Sequence, residues 1–439
     1  MDVKFTDSVC TSLKPVLREV INSEQTQEIK LPDSMPDVGR VIGAWGQSIL
    51  RSKEWDMDHI QCSAGMMVWI LYAPEDGSEP RMVNTWIPFQ LRWDLPEDTP
   101  EGQIMVQCLT RFTDARSVSP RKILVRCAMG AMAQAYVPQR TTISAVQDSG
   151  NEIELLQRRY PVRIRKEAGE KTFQLDEELS LPESAPKLET LIYCTLEPKI
   201  NETRVLADKL VFRGNMKLHL LYRSPEGQLH SWDFSLPVSQ YAVLDGTYSS
   251  DAQCSQCFCV TSLEPELQES GMLRVKCGIV CQYLITDREM LDVVEDAYSL
   301  GWDTKLEMEM PELNVLLERK KELLYPEQNM NVDANITADV RFLPDFPKMR
   351  KSGEETFIQW PGVFQVLYYG QDGALRSGTT RWEGEQSVPL DSRGDLEAFP
   401  VTPEAQSATG NGGITLSAEY PVEWEASAQQ PIPMVTEVK

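Results

Sequence analysis

The chain has 439 residues, 41% apolar and 25% charged, with a formal net charge of −23. That composition is globular, and the length gives a prior of about three domains. The acidic balance argues against nucleic acid or an anionic membrane surface as a partner. No apolar run approaches the ~20 residues of a membrane helix. Met1–Asp7 lacks a secretory pattern, and Met434–Lys439 lacks an anchor motif. The expectation is a protein made and kept in a cytoplasm, its ten cysteines reduced.

Three short stretches set the register. Trp69-Ile70-Leu71-Tyr72 is followed by Gly77, Leu220-Leu221-Tyr222 by Gly227, and Val366-Leu367-Tyr368 by Gly373. Each is an apolar run closed by a Gly turn, the first half of a β-hairpin. The tyrosines are 150 (222−72) and 146 (368−222) residues apart, the mark of an internal repeat. The expected organisation is three modules, 1–150, 151–303 and a degenerate 304–439.

Each module is read in the same order. Leu31-Pro32-Asp33-Ser34-Met35-Pro36 recurs 150 residues on as Leu181-Pro182-Glu183-Ser184-Ala185-Pro186 (182−32), and Tyr325-Pro326 is taken as its decayed third copy. Two prolines in six residues fit neither a helix interior nor a central strand, so this is an extended lead-in to the first sheet. A strand pair follows, then the hairpin. A Trp-bearing segment comes next, Trp86 with Pro88, Trp232 with Pro237, and Trp382 with Pro389. Alternating runs such as Ile123–Cys127 and Leu273–Cys277 close the module as half-buried strands. The third closes with Gly410-Asn411-Gly412-Gly413 and Ile414–Ala418. The fold class is all-β: three tandem antiparallel sandwiches or open barrels, with short helices at the junctions over Ser12–Ile21 and Leu313–Leu324.

Chemistry-bearing residues are sparse. Cys254, Cys257 and Cys259 with Cys277 and Cys281 resemble a ligand cluster, but the repeat favours packing. Cys127 and Cys277 are equivalent (277−127 = 150), and Ala418 stands at that place in the third module. A position that takes Cys or Ala is a small buried site. A metal site or a redox pair remains open. The three histidines, His59, His219 and His230, read as core or strand-surface residues. No nucleophile-elbow, zincin or phosphate-loop motif is present. The expectation is no enzyme, no cofactor and no metal.

The lead-in, the Leu-Tyr…Gly hairpin and the segment Val293–Ser299 together resemble the SPOCS domain family of spore-coat assembly proteins in anaerobic spore formers. The signature residues are Leu31, Pro32, Tyr72, Gly77, Leu181, Pro182, Tyr222, Gly227, Pro326, Tyr368 and Gly373. The resemblance implies a scaffold role in the spore coat. The partners would be other coat proteins or further copies of the chain, as an oligomer or polymer, with the protein made in the mother-cell cytoplasm and then moved to the coat. Known members bridge a coat-scaffold ATPase to other layers and end in a LysM domain, and no LysM-like segment follows the third module. The alternative is a glycan- or peptide-binding module using exposed aromatics at Trp86, Trp232 and Trp382.

Overall fold

A computed structural model describes residues 3–148, 153–301, 303–352, 355–388, 394–410 and 412–439. Six strands come first: β1 (Lys4–Lys30), β2 (Val38–Asp56), β3 (His59–Pro74), β4 (Arg81–Asp94), β5 (Gln103–Ser119) and β6 (Lys122–Asp148). They form two antiparallel sheets, ordered β2-β3-β4 and β1-β6-β5. Their inner faces bury Ile70, Phe89, Trp93, Val106 and Val125 in one shared core, as alternating strands in a sandwich must.

The plan recurs with β7 (Glu154–Leu179), β8 (Thr190–Leu206), β9 (Lys209–Arg223), β10 (Leu229–Val243), β11 (Gln253–Leu267) and β12 (Leu273–Tyr298). Their sheets are β10-β9-β8 and β11-β12-β7. In the C-terminal third the same plan is broken into shorter pieces. These are β13 (Leu306–Glu309), β14 (Glu312–Leu324), β15 (Glu327–Met330), β16 (Ala334–Pro344), β17 (Lys348–Ser352), β18 (Glu355–Gly370), β19 (Leu375–Val388), β20 (Gly394–Pro400), β21 (Glu404–Gly410), β22 (Gly413–Pro431) and β23 (Met434–Val438). β14 and β15 flank β22 where β1 flanks β6, and β20 and β21 stand where β5 does. β16 and β17 both pair with β18, whose other neighbour is β19.

Matching irregularities tie the three sets together. The second strand skips one residue against the third at Ile42, Ile192 and Ala338, spaced 150 (192−42) and 146 (338−192). The first strand skips one against the last at Val16, Lys166 and Leu317. Such one-residue bulges locally reverse which face a side chain takes.

The bulges also explain a correction. The described residues contain no helix, and both expected junction helices are strand: Ser12–Ile21 lies in β1 and Leu313–Leu324 is most of β14. A bulge at Val16 or Leu317 shifts the apolar alternation by one residue. Period-2 runs on either side then add up to helix-like spacing. Pro389 and Asn411, and the expected boundary at 150/151, lie outside the described residues.

The three sets are not beads on a string. Arg40 of the first donates to the Leu375 carbonyl of the third at 2.9 Å. The Leu229 amide of the second donates to the Tyr369 hydroxyl of the third at 3.1 Å. Arg223 of the second donates to the Pro80 carbonyl of the first at 3.3 Å. Each contact grips the start of a fourth strand, so the set of contacts closes on itself. A second junction is apolar: Ile143, Val293 and Met434, from the three last strands, share one buried cluster with Val162 and Leu313.

Candidate interaction site and buried junctions

The signature residues hold the hairpin to the lead-in. Tyr72 donates its hydroxyl to the Pro36 carbonyl at 3.0 Å, and Tyr222 donates to Pro186 at 3.1 Å. The second proline of each string therefore supplies the acceptor for the tyrosine 36 residues later. The string is a turn, not the extended run expected from its prolines: Met35 donates to the Pro32 carbonyl at 3.0 Å and Ala185 to Pro182 at 2.9 Å. Leu31 is buried, whereas Leu181 is only half-buried. Gly77, Gly227 and Gly373 close the hairpins at φ 73°, 83° and 76°, a region that Gly enters without a Cβ penalty.

The third copy departs from the expectation. In the ladder, Met330 faces Ile414, as Ile29 faces Ile123 and Leu179 faces Leu273. The place of Pro32 (29+3) is thus Asp333 (330+3), and Pro326 lies seven residues earlier (333−326), in the break between β14 and β15. Only residues 331–333 separate β15 from β16, too short a link to bring a carbonyl to the tyrosine. Tyr368 makes no side-chain hydrogen bond among the described residues.

Trp86, Trp232 and Trp382 lie on β4, β10 and β19, each on the outer strand of a different sheet, and all are half-buried. They are not brought together. Arg51 sits over the Trp86 ring at 4.8 Å, and the Trp382 ring packs edge-on against Phe342 and Tyr420 at 5.9 and 6.4 Å.

All ten cysteines are free. Among the described residues no group of three or more His, Cys, Asp or Glu is placed to hold a metal ion. Burial pushes Cys127 and Cys254 up to about 12 and Cys277 to about 11, so these thiols stay protonated at neutral pH and are poor nucleophiles.

Sequence reasoning placed His219 as a core or strand-surface residue but did not reach the charged contacts between the sets. His219 on β9 bridges Asp233 on β10 at 2.5 Å and Asp339 on β16 at 2.8 Å. Asp339 also accepts from Tyr193, whose ring stacks on Trp45 at 5.1 Å. Burial alone would push His219 down, but the facing carboxylates outweigh it and hold its pKa up at about 9. Deeper in, Arg165 is 2% exposed. It donates to Asn314 at 2.6 Å and lies 3.5 and 3.6 Å from Glu397 and Glu425. A buried charge persists only when paired. The available signal was a charged residue inside an apolar run, as in Val162-Arg163-Ile164-Arg165 and Ala338-Asp339-Val340.

A cavity of 240 Å³ lies where the three sets meet, lined by Cys108 and Thr110 of the first, Leu196 and Cys257 of the second, and Arg341 and Pro400 of the third, among others. The lining contains no histidine, and its Ser48 and Thr110 hydroxyls bond to each other at 2.7 Å. Glu197, Glu423, Arg319 and Lys321 also line it, and a hydrogen bond with Cys257 holds the Cys259 thiol below its ordinary range.

Residues 187–264 match the family model of the SipL SPOCS domain. That stretch of the chain is a SPOCS domain. The matched stretch takes in the whole β8-β9-β10 sheet, with its Tyr222 hairpin, and most of β11. No curated protein and no solved structure matches the chain. The SPOCS domain points to a role connected with sporulation.

Proposed function

We propose that this chain is a non-enzymatic structural or scaffold protein of the bacterial spore coat, acting through contacts with other coat proteins or with its own copies. It is made in the mother-cell cytoplasm and then carried on the spore. Nucleic acid and membrane are not among its proposed partners. The observation that carries the reading is the SPOCS match over β8–β11. Two further features support it. The buried charged residues His219, Arg165 and Asp339 are committed to contacts between strand sets. The outer strand β19 pairs on one side only, leaving backbone donors and acceptors for another chain.

The test is recovery of partners. Purified chain, immobilised, is incubated with coat extract from sporulating cells and with lysate from vegetative cells. The reading expects defined coat proteins to be retained from the first and not the second. Retention no greater than on heat-denatured chain contradicts it.

A further inference from the structure

β4, β10 and β19 are the same strand in three copies, but they do not guard their free edges alike. Pro88 on β4 faces Gly65, Pro237 on β10 faces Asn215, and Glu383 on β19 faces Pro361. Those partners are spaced by the repeat itself (215−65 = 150, 361−215 = 146), so Pro88, Pro237 and Glu383 hold one ladder position. A proline in an edge strand removes a donor and places its ring where an added strand would lie. The first two edges are blocked in this way and the third is not.

The unblocked edge is also self-complementary. On β19 the side chains of Thr379, Arg381, Glu383 and Glu385 are exposed, while Trp382 points inward onto Phe342 and Tyr420. Glu385 is held by Arg350 at 3.0 Å. Arg381 and Glu383 make no ion pair among the described residues. If a second β19 pairs antiparallel about Trp382, residues i and j face each other when their numbers sum to 764 (382+382). Arg381 then faces Glu383 of the copy, and Glu383 faces its Arg381, on the same exposed surface. Thr379 faces Glu385. Opposite charges directly across an antiparallel pair stabilise it, and like charges destabilise it. The start of β19 is occupied by the first strand set, through Arg40 on Leu375 and Ser377 on the Ile42 carbonyl at 2.6 Å, which leaves residues 379–385 for the contact.

We propose that the free edge of β19 is a docking surface for a second copy of this chain, joining two β16-β18-β19 sheets into one continuous sheet with Arg381 and Glu383 paired reciprocally across the twofold. This deepens the self-assembly part of the proposed function and rests on it.

The test uses the full chain in sedimentation equilibrium from about 1 µM to 1 mM. A dimer is expected in that range. R381E puts two acids in register and E383R two cations, so each should weaken the dimer by about tenfold or more. The double variant R381E/E383R should restore it, and mixing the two single variants should give a heterodimer. E383P, which copies the other two edges, should be monomeric. Restoration by the double variant separates a lost contact from a failure to fold. A wild-type chain that is monomeric throughout overturns the proposal. Self-association indifferent to E383P and to both reversals also overturns it, while leaving assembly through another surface intact. Loss of retention from coat extract would instead count against the proposed function.

Discussion

His219 and Asp339, 120 residues apart, form an ion pair at 2.8 Å that joins β9 to β16. Folding raises the histidine pKa to about 9 and lowers that of Asp339, whose own burial is outweighed by His219. A raised histidine adds stability that is full below its unfolded value of about 6.5 and is lost as pH rises through about 9. A lowered aspartate adds stability above about 3.9 that is lost as pH falls through its folded value. Thermal unfolding followed by circular dichroism should therefore show Tm falling between about pH 6.5 and 9. H219Q should flatten that limb and cost about 3–5 kcal/mol at neutral pH, because Asp339 is left buried without its cation. A Tm profile unchanged in H219Q would count against the bridge.

The tyrosine hydroxyls give a graded comparison. Y72F and Y222F each remove one hydrogen bond to a proline carbonyl and should each cost about 1 kcal/mol. Tyr368 has no such partner, so Y368F should lie within about 0.5 kcal/mol of wild type. Urea denaturation of the three variants side by side checks the order.

The hairpin glycines isolate a backbone effect. An added Cβ at Gly77 or Gly373 would meet nothing within 4 Å, so space is not what demands glycine there. Alanine at either position should still cost about 1–2 kcal/mol through its left-handed conformation alone. The two costs should add, since the sites lie in different strand sets. Equilibrium unfolding of G77A, G373A and the double variant measures this.

Cys127 and Cys277 occupy the ladder position that Ala418 fills in the C-terminal set. C127A and C277A should fold normally and lose less than about 2 kcal/mol each. Added zinc should not raise the Tm of the wild-type chain, since a metal that bound the native state would do so by mass action. A shift of several degrees would point to a metal site at the thiols.

These sites also show what could be read ahead of the structure. The repeat, its hairpins and the Cys/Ala position were legible because each rests on local spacing carried unchanged from the first strand set to the second. The lead-in turn was partly legible: its prolines excluded regular structure, but the hydroxyl of Tyr72 reaching Pro36 depends on the strands between. β1 and β14 were misread because a single skipped residue disguises alternation. Pro326 was misplaced because the C-terminal set breaks its first strand and shortens the following link, so sequence order no longer tracked ladder position. The bridge of His219 to Asp339 and the cluster around Arg165 draw on segments more than 100 residues apart. Only the oddity of a charge within an apolar run marked them.

The proposed role of this chain is that of a coat protein. The most direct measurement is the position of a fluorescently tagged chain through sporulation in an endospore-forming host. A coat protein gives signal in the mother cell that gathers as a shell around the forespore and is recovered with purified coat. Signal that stays diffuse in the mother cell, with no chain in the coat fraction, would contradict it.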